Sequence, residues 1–85
     1  HIPQGACTIS HAEPGLVTQA THGLADDTNV IFYTTGTLPA PLVAGRQYYV
    51  MYIDVDTFNL SSTIAGSSID TTTDGSGTHT LWAEA

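Results

Sequence analysis

The chain is nearly without positive charge. Arg46 is its only Lys or Arg among 85 residues, against eight Asp and Glu, and the formal net charge is −7. Contacts to phosphate backbones and anionic bilayers run on Lys and Arg, so nucleic acid and anionic membrane surfaces are disfavoured as partners. Cys7 is the only cysteine, which excludes an internal disulfide. No apolar run approaches the roughly 18 residues of a membrane-spanning helix, so membrane insertion is not expected. No amphipathic segment of helical length is present either, and a parallel α/β sheet, which needs crossover helices, is thereby disfavoured. His1 at the first position and a lone Met51 lead to the expectation of an excised domain, a processed product or a chain carrying a short tag remnant, with neighbours outside this sequence.

Eighty-five residues make one small domain. A chain of this size buries only about 60–65% of the surface it exposes when unfolded, so its core is marginal. Domains this small often lean on disulfides, metals or oligomerisation. With the disulfide excluded, neighbouring domains or sister subunits are the expected extra support.

Charged residues make up only 11% of the chain, and the polar surface falls to Thr, Ser, Asn and Gln. The fourteen threonines suit solvent-facing strand positions, because Thr is β-branched yet polar. An acidic, Thr-rich, Lys-free surface is a composition common in extracellular and virion-surface modules.

Short strand signals recur every 8–12 residues, joined by Gly, Asp and Pro turns. Ala6–Ser10 and Leu16–Ala20 are modest strands, and Asn29–Thr35, with Val30, Ile31, Phe32 and Tyr33, is a strong one. The prolines of Leu38-Pro39-Ala40-Pro41-Leu42 exclude a helix interior and predict a loop that plugs one end of the fold with Leu38 and Leu42. Gln47–Val55 alternates two sets. Tyr49, Met51, Ile53 and Val55 are all apolar or aromatic and are the expected core face; Tyr48, Val50, Tyr52 and Asp54 suit a wetter one. Asp56-Thr57 turns into Phe58-Asn59-Leu60, Ala65-Gly66-Ser67 turns again, and Ser68–Thr72 is a short strand. Asp74-Gly75-Ser76-Gly77 reads as a hairpin turn with glycines at positive φ, followed by Thr78–Ala83.

The pattern defines an all-β fold: a small antiparallel β-barrel or sandwich of about six short strands. Residues 1–15 are expected as an N-terminal arm or linker strand and residues 16–85 as the barrel module. Leu16, Phe32, Tyr49, Met51, Ile53, Phe58, Leu60 and Leu81 are the expected carriers of the core.

Five pieces recur in order between Leu16 and Thr80. They are Thr21-His22-Gly23-Leu24, Thr35-Gly36-Thr37-Leu38-Pro39, Ala44-Gly45 with Tyr48-Tyr49-Val50, Asp56-Thr57-Phe58-Asn59-Leu60-Ser61, and Gly75-Ser76-Gly77-Thr78. This ordered series, over about three-quarters of the chain, resembles a short β-module of bacteriophage tail, fibre and other virion structural proteins. The module is similar to the first catalytic cysteine half-domain (FCCH-like) of ubiquitin-activating enzymes. The resemblance implies a six-stranded barrel serving as spacer or docking module in a virion, with other virion proteins or sister subunits, a homo-oligomer included, as partners. It implies no ubiquitin chemistry: Cys7 precedes the matched run and has no motif around it. The doubled proline of Pro39-Ala40-Pro41 and the acidic bias depart from the usual pattern.

Sites of other kinds find little support, and no catalytic residue, metal ligand or cofactor is expected. Asp54-x-Asp56, even joined by Asp70 or Asp74, lacks the spacing that supplies calcium with six to eight oxygens. His22, His79 and Ser76 lack the close-spaced pairs of zinc sites and the oxyanion hole of a hydrolase. Asp74-Gly75-Ser76-Gly77 has neither the lysine nor the following helix of a phosphate loop. Tyr48, Tyr52 and Asp54 are the ligand-binding candidates: exposed phenols beside a carboxylate would suit a sugar ring. Two readings follow, a non-enzymatic virion module or a receptor- or glycan-binding tip domain.

Overall fold

The computed structural model describes residues 2–64 and 66–84, so Ala65, in the expected 65–67 turn, lies outside the described residues. Six strands form: β1 (Ile2–Ile9), β2 (Val17–Thr18), β3 (Asn29–Thr34), β4 (Tyr48–Tyr52), β5 (Thr57–Ser61) and β6 (His79–Ala83). They close into an antiparallel barrel in the order β1-β2-β5-β4-β3-β6, with no helix among the described residues. The all-β small barrel expected from turn spacing is the fold.

The interior is built where opposed residues of paired strands point the same way. On β3 and β6, Val30 faces Ala83 and Phe32 faces Leu81, and all four are buried. On β4 and β5, Val50 faces Leu60 and Tyr52 faces Phe58. Phe58 and Leu60 are sealed in the core, as expected, and their pairing decides which face of β4 looks inward.

That face is the opposite of the one expected. Tyr48 and Val50 point into the barrel, whereas Tyr49 and Met51 are half-buried on the outer surface. Ile53 and Val55 lie beyond the end of β4 and are 48% and 62% exposed. Both sets of alternating residues can cover apolar surface, so hydropathy alone cannot choose between them. Tyr48 enters the core because its hydroxyl finds a partner there: the Val43 N–H donates to it at 2.8 Å. Of the other expected core residues, Phe32 and Leu81 are buried and Leu16 is half-buried.

Residues 2–9, expected as an arm or linker strand, are a stave of the barrel. β1 is hydrogen-bonded from Ile2↔Ala83 to Cys7↔His79 on β6, and at Thr8 and Ile9 on β2. Cys7 and Ile9 reach the core from it. The short β2 leaves the first half of β1 without a strand partner on that side. The Gln19 side-chain amide substitutes, donating to the Gln4 and Ala6 carbonyls at 3.1 Å each.

Leu38 and Leu42 plug one end of the barrel, as the prolines predict, with Pro39 fully buried beside them. Ser68–Thr72 is not a strand. Only a single bridge, Ser61↔Ser68, forms there, and the segment runs as an irregular strap. Its backbone N–H groups go to three different segments, Ile69 to the Leu60 carbonyl, Thr71 to Ala12 and Thr72 to Ala40, so no single strand pairs with it. The buried Thr71 hydroxyl adds a tie, donating to the Ser10 carbonyl at 2.5 Å and accepting from the Ala12 N–H at 2.9 Å. Asp74–Gly77 likewise makes no hairpin between neighbouring strands. It clasps the loop after β3 through Thr37↔Ser76, with Gly75 and Gly77 at φ 67° and 79°.

Candidate functional site

The structure does not bring Tyr48, Tyr52 and Asp54 together as a platform. Tyr48 is 2% exposed, its ring tilted against Phe32 at 6.4 Å. Tyr52 reaches the surface at the end of β4, where its ring meets His22 edge-on at 5.9 Å. Asp54 is turned onto its own loop. Its Oδ1 accepts from the Asp56 N–H at 2.9 Å and from the Thr57 N–H and hydroxyl at 2.8 Å each. Asp56 Oδ1 accepts from the Thr21 N–H at 2.8 Å, so these two acidic side chains hold chain turns.

His22 is built into the same end. Its Nδ1 accepts from the Leu24 N–H at 2.9 Å, which leaves Nε2 to donate to the Asp54 carbonyl at 2.8 Å. The ring stands edge-on to Phe58 at 5.1 Å. His79 is buried at the other loop cluster, with Nδ1 2.8 Å from the Thr34 hydroxyl. No three His, Cys, Asp or Glu side chains gather as a metal site among the described residues.

Acid acts on two of these groups in the same direction. Hydrogen bonds from the Asp56 N–H first, and from Thr57, hold the Asp54 carboxyl below its ordinary value of 3.8. Burial lowers His79 below its ordinary 6.5. In each case the unfolded chain takes up the proton first as pH falls, so stability is present above the ordinary value and is lost below it. Thermal melts are expected to hold level between pH 6.5 and about 9, to decline below 6.5, to decline again below 3.8, and to decline above 9, where the unfolded chain ionises Cys7 first. A His79→Gln variant is expected to lack the first decline. Its persistence would assign that step to another group.

Cys7 is buried against the core, and burial pushes its thiol up to about 12 from an ordinary 9.0. Nucleophilic cysteines need the opposite environment, so this thiol is a packing group. At neutral pH the folded chain is expected to react with a thiol reagent at least about a hundredfold more slowly than the urea-unfolded chain. Equal labelling rates would show that Cys7 is exposed.

A concave site lies on the outer face of β4. Asp26, Asp27, Tyr49, Met51, Ser61 and Thr63 line an open groove of about 270 Å³. β4 supplies Tyr49 and Met51, the outward set of its alternation. The turn before β3 supplies the aspartates. Asp26 Oδ1 accepts from the Tyr52 N–H at 2.6 Å, tying that turn to the end of β4. Asp27 adopts φ 66° and donates its N–H to the Val50 carbonyl at 2.8 Å. The sequence pattern places Tyr49 and Met51 in the core, and so conceals this groove. The available signal was two adjacent carboxylates in a chain with a single cation.

Comparison of the chain with protein-family models, with curated proteins and with solved structures gives no match.

Proposed function

We propose that the chain is a non-enzymatic structural and interaction module of a phage virion protein, working as part of a tail, fibre or surface decoration. The observation that carries this reading is the closed six-stranded barrel, the form implied by the turn series that resembles virion β-modules. Its interior is filled by packed side chains from Cys7 to Ala83. His22, Asp54, Asp56 and Thr71 are engaged in holding loops to that barrel. The glycan-binding alternative loses its platform, since Tyr48 is enclosed and Asp54 is bonded to its own turn.

The test is immunogold electron microscopy of purified phage particles that encode this chain, using antibody raised against the barrel. Label on the tail, fibre or capsid surface is expected. Unlabelled particles, from lysates in which the protein is detected, would overturn the reading. A glycan array probed with wild type and Tyr52→Ala is expected to show binding by neither. Binding by wild type that is lost in Tyr52→Ala would move the function to sugar recognition.

A further inference from the structure

We infer that the groove on the outer face of β4 receives Arg46 of a second copy of this chain, in a head-to-tail contact. This rests on the module reading above and names the partner and the site through which the module assembles.

Arg46 is the only Lys or Arg in a chain with eight acidic residues. So strong an imbalance offers it many carboxylates, yet it pairs with none of those described; the side-chain contact that Asp74 makes is a hydrogen bond with His11 Nδ1, at 3.0 Å. Arg46 is instead exposed on the loop entering β4, where Gly45 at φ 79° turns the chain and the Arg46 N–H donates to the Val43 carbonyl at 3.2 Å. Val43, at the same tip, is 50% exposed. The tip thus presents a lone cation beside an apolar side chain.

The groove has the complementary character. Asp27 forms no side-chain hydrogen bond or ion pair within the described chain, while Tyr49 and Met51 give the groove aromatic and thioether surface. A guanidinium is held well by such a combination, over a tyrosine ring and against a carboxylate. At about 270 Å³ the groove falls below the roughly 300–1,000 Å³ of typical small-molecule sites and is of a size for one long side chain.

Arg46 does not occupy the groove of its own molecule. It lies exposed on the loop two residues before Tyr48, and no described carboxylate, those of Asp26 and Asp27 in the groove included, pairs with it. Cation and groove are therefore different patches on one molecule. A contact between unlike patches of identical chains is heterologous and generates a ring or an open filament, not a two-fold dimer.

Sedimentation velocity of the 85-residue chain at physiological salt, from micromolar to millimolar, provides the test. The weight-average sedimentation coefficient of wild type is expected to rise with concentration. Arg46→Gln and Asp27→Asn, each checked for folding by circular dichroism, are expected to weaken association by at least about tenfold. Asn is chosen at 27 because it tolerates positive φ. An equimolar mixture of the two variants is expected to form a dimer and nothing larger, since one retains the groove and the other the arginine. Wild type that stays monomeric throughout overturns the inference, as does a mixture that remains monomeric. Monomeric wild type that binds a short arginine peptide would assign the groove to a different protein and overturn the head-to-tail contact. None of these results touches immunogold labelling, so the two proposals fail separately.

Discussion

Replacing Phe58 with alanine is expected to remove about 3–5 kcal/mol of stability, the usual cost of deleting a sealed aromatic side chain. Phe58 has no exposed surface and pairs with Val17 on one side and Tyr52 on the other. It also supports the His22 ring at 5.1 Å, so its loss loosens the turns that His22 and Asp54 hold. A domain of 85 residues has a total stability of roughly 4–13 kcal/mol, so at the low end of that range a loss of this size unfolds most of the molecules, and anywhere within it the unfolding midpoint drops sharply. Urea unfolding followed through the single Trp82 reads the effect directly. Ile53→Ala is the matched comparison. Its side chain is half exposed beyond the end of β4, and the change should stay within about 0.5 kcal/mol. A Phe58→Ala midpoint equal to the parent's, or a comparable loss in Ile53→Ala, would reverse the assignment of inside and outside.

Gly75→Ala is expected to cost about 2–4 kcal/mol, from a backbone angle that L side chains resist together with overpacking. Gly75 sits at φ 67°. A Cβ there would lie 2.5 Å from the Thr37 carbonyl oxygen and 2.8 Å from the Pro39 nitrogen, both main-chain atoms with little room to move. Gly23 separates the two contributions. It has nearly the same angle, φ 65°, and nothing within 4 Å of an added Cβ. Gly23→Ala therefore carries the conformational cost alone. For a domain of this size each kcal/mol lowers the melting temperature by roughly 4–8 °C, so the two variants should differ clearly in a thermal scan. Equal melting temperatures would show that the 74–77 loop is free to move away from the loop after β3.

Much of the barrel was legible in the sequence because turn chemistry and β-branched runs are local signals. Val30-Ile31-Phe32 marks β3, Phe58-Asn59-Leu60 marks β5, and the prolines around Ala40 mark the end plug. Signals that depend on pairing were not legible. The inward face of β4 is set by its register with β5, and both of its alternations carry aromatic residues. Residues 2–9 have weak strand propensity, with Pro3 and Gly5 among them, and are strand because β6 offers a partner. Ser68–Thr72 has the opposite fate: Thr residues favour a strand, but its backbone N–H groups are drawn to Leu60, Ala12 and Ala40 on three different segments, and no ladder forms.

The same distinction governs the candidate site. The alternation of β4 places Tyr48 and Tyr52 on a wet face and Tyr49 and Met51 in the core, whereas the fold encloses Tyr48 and leaves Tyr49 and Met51 half-buried on the outer surface. Arg46 was visible as the lone cation from composition alone. That it pairs with no described acidic side chain depends on where the fold leaves it.

The pairing of Ile2 with Ala83 places the two ends of the barrel side by side, at the tip of one antiparallel ladder. A pull applied there runs across the strands, along the hydrogen bonds, which lie perpendicular to the strand direction. The bonds between β1 and β6 would then be loaded one pair at a time, as when a zip is drawn, and not all together in shear. Under tension the first stave to peel away is the one that carries Cys7, so its enclosed thiol would become reachable as the barrel opens.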